Sequence, residues 1–301
     1  MKLMKSVVAI ALALAPMGRA ALKPVDGAIQ PEDNKSVAVF KTTPQGDLKI
    51  NLYFPPDWKP TDRRPAIVFF FGGGFTGGDP VQFKTKSEYL ASRGMVAAAA
   101  EYRIKNKHHT DPVKSMEDSK SAVRWMRLNA RRLGIDPDKL LAGGGSSGGA
   151  CAVYTAFNTS FEPEGEDTSV SSMPNALVLY NPYIGTASDK TERDEPNPAW
   201  RTDWKVTRHG PPAILFFGTD DALLAPARIF VQQMAAAGNR VELYTAEGQK
   251  HGFFNDRGGT PWHAVTLRQT DVFLTSLGYL KGAPTIAPPA GSPAVLKRET
   301  P

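Results

Sequence analysis

The run Ala66–Phe71 is apolar at every position. A strand with one wet face alternates polar and apolar side chains, so an unbroken run marks a strand covered on both faces. Asn175–Asn181 and Ala213–Gly218 read as two more buried strands. Met95–Tyr102, Leu140–Gly145 and Val241–Thr245 complete the set of β-rich runs. Helical stretches separate them, at Pro80–Arg93, Asp111–Leu133, from Ser147 onward, at Ala225–Ala237 and at Pro261–Leu277. In Asp111–Leu133, Val113, Met116, Ala122, Trp125 and Met126 share a face. Alternation of this kind predicts the α/β class, a mostly parallel central sheet with helices on both faces. Ser36–Thr43 and Leu48–Phe54 flank Pro44-Gln45-Gly46-Asp47 as a hairpin, which adds an antiparallel edge at the N-terminal side.

The two ends of the chain read differently. Met1–Lys5 carries two lysines, Ser6–Pro16 is mostly apolar, and Gly18-Arg19-Ala20 ends in small residues. That order is the pattern of a signal peptide, with cleavage expected after Ala20 and export to the periplasm or the extracellular space. The apolar run is too short for stable insertion in a bilayer, which takes about 20 residues. Residues 21–281 form the expected catalytic domain. Residues 282–301, rich in Pro and Ala without periodicity, are expected to be disordered or a tether. The net charge is +6, of which Lys2, Lys5 and Arg19 lie in the leader. A balance that mild, with no basic run interleaved with aromatics, argues against a nucleic-acid partner. Cys151 is the single cysteine, so no internal disulfide and no cysteine-built zinc site is available, and inert packing is its expected role. Oligomeric state is not legible.

Gly143-Gly144-Gly145-Ser146-Ser147-Gly148-Gly149 lies between a predicted strand and a predicted helix. A nucleophilic serine on such a turn needs small neighbours, because the backbone is strained and packs tightly. Gly-x-Ser-x-Gly fits on both Ser146 and Ser147. A phosphate loop is disfavoured, because its lysine is missing. Phe69-Phe70-Phe71-Gly72-Gly73-Gly74-Phe75 follows a buried strand, where glycines allow backbone N–H groups to approach a developing oxyanion. Downstream, Phe216-Phe217-Gly218-Thr219-Asp220-Asp221 ends a strand and offers two acids. Gly248-Gln249-Lys250-His251-Gly252-Phe253-Phe254 offers a histidine between glycines. His209 precedes both acids, and His263 lies in a helical stretch as a surface or packing residue. His108 and His109 are adjacent and share no helix face, which argues against a metal pair there.

With these residues in place, the chain resembles the α/β-hydrolase superfamily, in its esterase/lipase branch of carboxylesterases and acetylxylan- and feruloyl-esterase-like enzymes. Gly144-Gly145-Ser146-Ser147-Gly148-Gly149 matches that branch's Gly-x-Ser-Ala-Gly-Gly, with Ser in place of Ala. The resemblance implies the α/β-hydrolase fold and Ser146 as nucleophile, with Ser147 supplying an N–H. It implies Asp221 as acid, from a Gly-x-x-Asp pattern in which Asp220 remains an alternative, and His251 as base, from His-Gly-Phe. The chain order Ser, Asp, His is the order of that fold. The branch carries His-Gly-Gly-Gly where this chain has Phe71-Gly72-Gly73-Gly74, so the packing that shapes the loop must differ. The backbone donors of Gly73 and Gly74 do not depend on that side chain.

The implied chemistry is acyl transfer without metal or organic cofactor. Ser146 attacks an ester carbonyl, His251 takes its proton, Asp221 orients His251, and N–H groups of Gly73, Gly74 and Ser147 hold the oxyanion. The expected partner is a small ester or an esterified carbohydrate, with acetyl or feruloyl groups of plant polysaccharides as candidates. Phe75, Trp200 and Trp204 are candidate substrate contacts, the two tryptophans stacking on sugars or packing locally. An exported peptidase of the same fold and a catalytically silent binding protein are the rival readings. An Arg103–Asp118 ion pair is expected to brace the scaffold, and Thr159–Pro174 reads as decoration.

Overall fold

The computed structural model describes residues 21–25, 27, 29–185, 203–256 and 260–300. The expected leader and Trp200 lie outside the described residues. Ten strands among those described make one sheet. They are β1 (Ala21–Leu22), β2 (Lys35–Thr43), β3 (Gly46–Tyr53), β4 (Arg64–Phe70), β5 (Val96–Ala100), β6 (Ile135–Gly145), β7 (Leu177–Tyr180), β8 (Ala213–Gly218), β9 (Val241–Ala246) and β10 (Leu296–Glu299). Their spatial order is β1-β2-β3-β5-β4-β6-β7-β8-β9-β10. The six strands from β5 to β9 run parallel, and β1, β2 and β3 form the expected antiparallel edge.

The unbroken apolar runs have a direct reason. Ala66, Val68 and Phe70 of β4 pack into one core, whereas Ile67 and Phe69 pack into a second core on the other face. Strand β8 divides in the same way, Leu215 and Phe217 against Ile214 and Phe216. Helices α3 (Pro112–Leu128), α4 (Ala130–Leu133), α5 (Ser147–Phe157) and α6 (Leu224–Ala236) cover the first face. Helices α1 (Lys84–Ser92), entered through a 3₁₀ turn at Pro80–Phe83, and α7 (Trp262–Ser276) cover the second. The short α2 (Lys105–His108) follows β5. Each fully buried Phe, Leu or Ile contributes about 1.5–3 kcal/mol by leaving water.

Three segments depart from the sequence expectation. The helix expected over 111–133 is broken at Asn129, whose side-chain amide donates to the Trp125 carbonyl at 2.9 Å and whose Oδ1 accepts from Val25. The stretch after α5 does more than decorate. Its Glu162 meets Lys120 at 2.7 Å and also pairs with Arg124, while Glu166 meets buried Lys41 at 3.3 Å. The tail expected to lack order ends in β10, antiparallel to β9, with Glu299 held bidentately by Arg228 at 2.8 and 2.9 Å. Composition was a poor guide there, because the free backbone edge of β9 supplies the pairing that tail side chains do not encode.

The Arg103–Asp118 pair forms, with Nε and Nη2 at 2.7 and 2.9 Å from the carboxylate, and Lys41 adds a third contact at 2.9 Å. Burial alone would raise the Asp118 carboxyl, but Lys41 and Arg103 hold it below the usual carboxylate range. Cys151 is fully buried, and burial pushes its thiol up, in keeping with an inert side chain. No helix among the described residues is long and apolar enough to cross a membrane.

Candidate active site

Four loops leave the carboxyl ends of parallel strands at one edge of the sheet, where open α/β sheets carry their sites. They follow β4, β6, β8 and β9. The turn after β6 puts Ser146 at φ 53°, ψ −121°, a conformation that few residues other than glycine adopt. Gly144 and Gly148 make this turn feasible. A Cβ on Gly148 would lie 2.1 Å from the Phe70 carbonyl oxygen, and one on Gly144 would lie 2.4 Å from Gly148 itself. A Cβ on Gly145 or Gly149, which flank Ser147, would be as tightly placed, 2.5 Å from Phe254 and 2.8 Å from Pro182, so the glycines serve either register and the side-chain partners of the two serines distinguish them.

Ser146 Oγ lies 3.0 Å from His251 Nε2, and His251 Nδ1 lies 2.9 Å from Asp221 Oδ2. A carboxylate only accepts, so Nδ1 carries the ring proton and Nε2 is left to accept from the serine hydroxyl. Ser147 is fully buried, with its hydroxyl 3.3 Å from Tyr102 Oη. Asp221 is buried, whereas Asp220 is exposed. The Asp221 carboxylate also accepts from Leu223 N at 3.0 Å and Asn181 Nδ2 at 2.5 Å. Asn181 is a site residue that sequence reasoning missed. It directly follows β7, in the left-handed region at φ 44°, and the Asn-Pro pair after a buried strand was its one local signal.

The glycine loop after β4 lies directly against the serine, since a Cβ on Gly72 would come 3.1 Å from Ser146 Cβ. The Gly72 N–H is committed to Gln82 Oε1 at 2.6 Å. Those of Gly73 and Gly74 meet no acceptor among the described residues. Phe71, at the position where the resembling branch has histidine, is buried and stacks on Tyr102 with centroids 4.1 Å apart and an interplanar angle of 14°. The Tyr102 hydroxyl donates to the Phe71 carbonyl at 2.6 Å. Ring stacking therefore fixes the start of this loop.

Phe75 is buried at φ 60° and meets Tyr183 edge-on at 6.4 Å. Beside it, Gly74, Thr76, Lys105 and His109 line a cavity of about 400 Å³. Trp204 is half-buried and makes local contacts. Its Nε1 donates to the Gly185 carbonyl at 3.0 Å and its ring stands edge-on to Phe230. His263 is half-buried with Nε2 3.1 Å from Thr85 Oγ1, and burial, helped by nearby Lys86, pushes it down to about 4. Lys86 is buried under the His251 turn, and its Nζ donates to the Phe254 carbonyl at 2.9 Å. Among the described residues, no group of three or more His, Cys, Asp or Glu side chains could hold a metal.

Comparison with known proteins gives this geometry relatives. The BD-FAE family model matches residues 50–178. The structure of Thermogutta terrifontis esterase 2 phosphorylated by paraoxon is 42% identical, with a TM-score of 0.77, over 83% of this chain and 96% of that one. The chain belongs to the esterase/lipase family of α/β-hydrolases. Hydrolysis of a carboxylic ester is the activity that this esterase family carries. A butyrate-bound structure of the same Thermogutta enzyme is 41% identical, with a TM-score of 0.76, over 83% of this chain and 97% of that one. Esterase LipC of Mycobacterium tuberculosis is 28% identical, and the alignment spans 69% of this chain and 58% of LipC. Esterase LipI of the same organism is 25% identical over 72% of this chain and 74% of its own length.

Proposed function

We propose that this esterase is an exported serine hydrolase that cleaves short-acyl carboxylic esters through Ser146, His251 and Asp221. The observation that carries the reading is the unbroken line Ser146 Oγ, His251 Nε2, His251 Nδ1, Asp221 Oδ2, with steps of 3.0 and 2.9 Å. His251 removes the hydroxyl proton as Ser146 attacks the ester carbonyl. The tetrahedral oxyanion is received by the N–H groups of Gly73, Gly74 and Ser147, preset so that little reorganisation is needed during reaction. His251 then protonates the leaving alcohol. Water, deprotonated by the same imidazole, releases the carboxylic acid from Ser146.

The phosphorylation of the Thermogutta enzyme by paraoxon supports a nucleophilic serine. Its butyrate complex supports a short acyl group, the class to which acetyl esters also belong. The esterified-polysaccharide reading draws on Trp200 and on half-buried Trp204, which also packs against Phe230 and donates to the Gly185 carbonyl. Export rests on the pattern of residues 1–20.

The test is acid release from phenyl acetate and phenyl butyrate, together with labelling by a fluorophosphonate. Ser146→Ala is expected to lose about 10⁴- to 10⁶-fold in kcat and all labelling. Ser147→Ala keeps its backbone N–H and is expected to stay within about threefold of the parent, because a contact at 3.3 Å contributes little. Full activity in Ser146→Ala would refute the assignment. An unlabelled parent would favour a silent binding protein, and cleavage of peptides in preference to esters would favour a peptidase.

A further inference from the structure

The oxyanion loop and the His251 turn leave the sheet from β4 and β9, with β6, β7 and β8 between them. β4 and β9 do not pair with each other, so no direct backbone ladder ties one loop to the other. Yet acyl transfer requires the imidazole and the oxyanion donors to be placed correctly around one carbonyl at the same moment.

A chain of side-chain amides spans the gap. The Gly72 N–H donates to Gln82 Oε1 at 2.6 Å, Gln82 Nε2 donates to Asn255 Oδ1 at 2.8 Å, and Asn255 Nδ2 donates to the Gly252 carbonyl at 2.8 Å. The direction of this chain is fixed at both ends. A backbone N–H only donates and a backbone carbonyl only accepts, so both amides must point the same way. Gly252 is the residue after His251, and Gly72 is the residue before Gly73. Four residues beyond Gln82, Lys86 makes a second tie to the same turn through the Phe254 carbonyl at 2.9 Å.

We propose that Gln82 is a positioning residue that locks the oxyanion loop and the His251 turn into one rigid unit. The proposal rests on the catalytic reading above. Gln82 hydrogen-bonds to neither Ser146 nor the imidazole, and it acts through the two loops that hold the reacting groups. Loss of the relay lets the two loops shift relative to each other, and a misplacement of about 1 Å can cost about 100-fold in rate.

The experiment compares Gln82→Ala, Gln82→Glu, Asn255→Ala and the double variant Gln82→Ala/Asn255→Ala on phenyl acetate, following acetate release, with melting temperatures recorded alongside. Gln82→Ala is expected to lower kcat about 10- to 100-fold with KM changed less than about threefold. Gln82→Glu is close in shape but, as a carboxylate, cannot donate to Asn255. Protonated, it can donate to Asn255 and still accept from Gly72. The ratio of its kcat to that of the parent is therefore expected to rise as pH is lowered from 8 to 5, and taking the ratio cancels the titration of the base. The double variant is expected to lose no more than the worse single variant, since either change breaks the same relay.

The proposal is overturned if Gln82→Ala keeps kcat within about twofold of the parent. It is also overturned if the Gln82→Glu ratio is flat with pH, or if the losses in the double variant multiply. Gln82→Glu decides the matter if Gln82→Ala does not fold. A failure of the catalytic reading is separately visible, as activity that survives Ser146→Ala.

Discussion

Asn181 donates to Oδ2 of Asp221, the same oxygen that faces His251 Nδ1 at 2.9 Å. Its Oδ1 meanwhile lies 3.4 Å from the Gly252 N–H, so one amide touches both the acid and the turn that carries the base. A hydrogen bond to a charged group contributes about 1.5–3 kcal/mol. Asn181→Ala is therefore expected to lower kcat/KM by roughly 10- to 100-fold with the fold retained. Steady-state kinetics with circular dichroism checks this. A loss below about threefold would mean that Leu223 N–H and the imidazole hold Asp221 without help.

Phe71 occupies the position where the resembling branch has histidine, and its ring stacks on Tyr102. Removing a buried aromatic ring leaves a cavity and costs about 3–5 kcal/mol. Phe71→Ala is expected to destabilise by that amount in urea and to lower kcat, because the Phe71 carbonyl and Gly72–Gly74 would lose their support. Phe71→Tyr or Phe71→Trp, which retain a ring, are expected to recover part of both losses. An alanine variant with full stability would show that Tyr102 alone fixes the loop.

Lys86 is fully buried among Phe83, Tyr180 and Phe254, with Nζ 5.0 Å from the centroid of the Tyr180 ring and 5.2 Å from that of Phe254. Burial pushes its ammonium from 10.5 down to about 7, against an opposing pull from Asp256. Nearby His263 also lies low, at about 4. Below pH 7 Lys86 is protonated in folded and unfolded chains, and the burial penalty is felt in full. Between pH 7 and 10.5 the unfolded chain holds more proton, so stability rises with pH through that window. Relative to Lys86→Met, the parent is expected to gain about 2 kcal/mol between pH 7 and pH 9, read from urea unfolding at each pH. Equal slopes for the two proteins would refute titration of Lys86 in that range.

The parts of this protein readable from sequence are those whose cause is local. Unbroken apolar runs such as Ala66–Phe71 report strands covered on both faces, because alternate side chains face opposite cores. The elbow glycines, the Asp pair after β8 and the His between glycines after β9 lie at strand ends in the order the fold demands. Sequence reading stopped where a residue's role depends on partners far along the chain. Gln82 meets Asn255 across 173 positions, and Asn181 meets Asp221 across 40. Neither pairing leaves a periodic trace. The strand β10 was illegible for a related reason, since its pairing is set by the free edge of β9.

The amino-acid pattern by itself determined the class of fold, the loops that carry the site and the residue types in them, because hydrophobic period and turn chemistry act over a few neighbouring residues. Tertiary structure alone decided between neighbours of equal chemistry. Ser146, at the turn, faces His251, and Ser147, at the start of the following helix, faces Tyr102. Asp221 is held inside by Asn181 and Leu223, and Asp220 is left in solvent. Those choices depend on where four loops from separate strands converge, and the sheet that brings them together is set by long-range pairing.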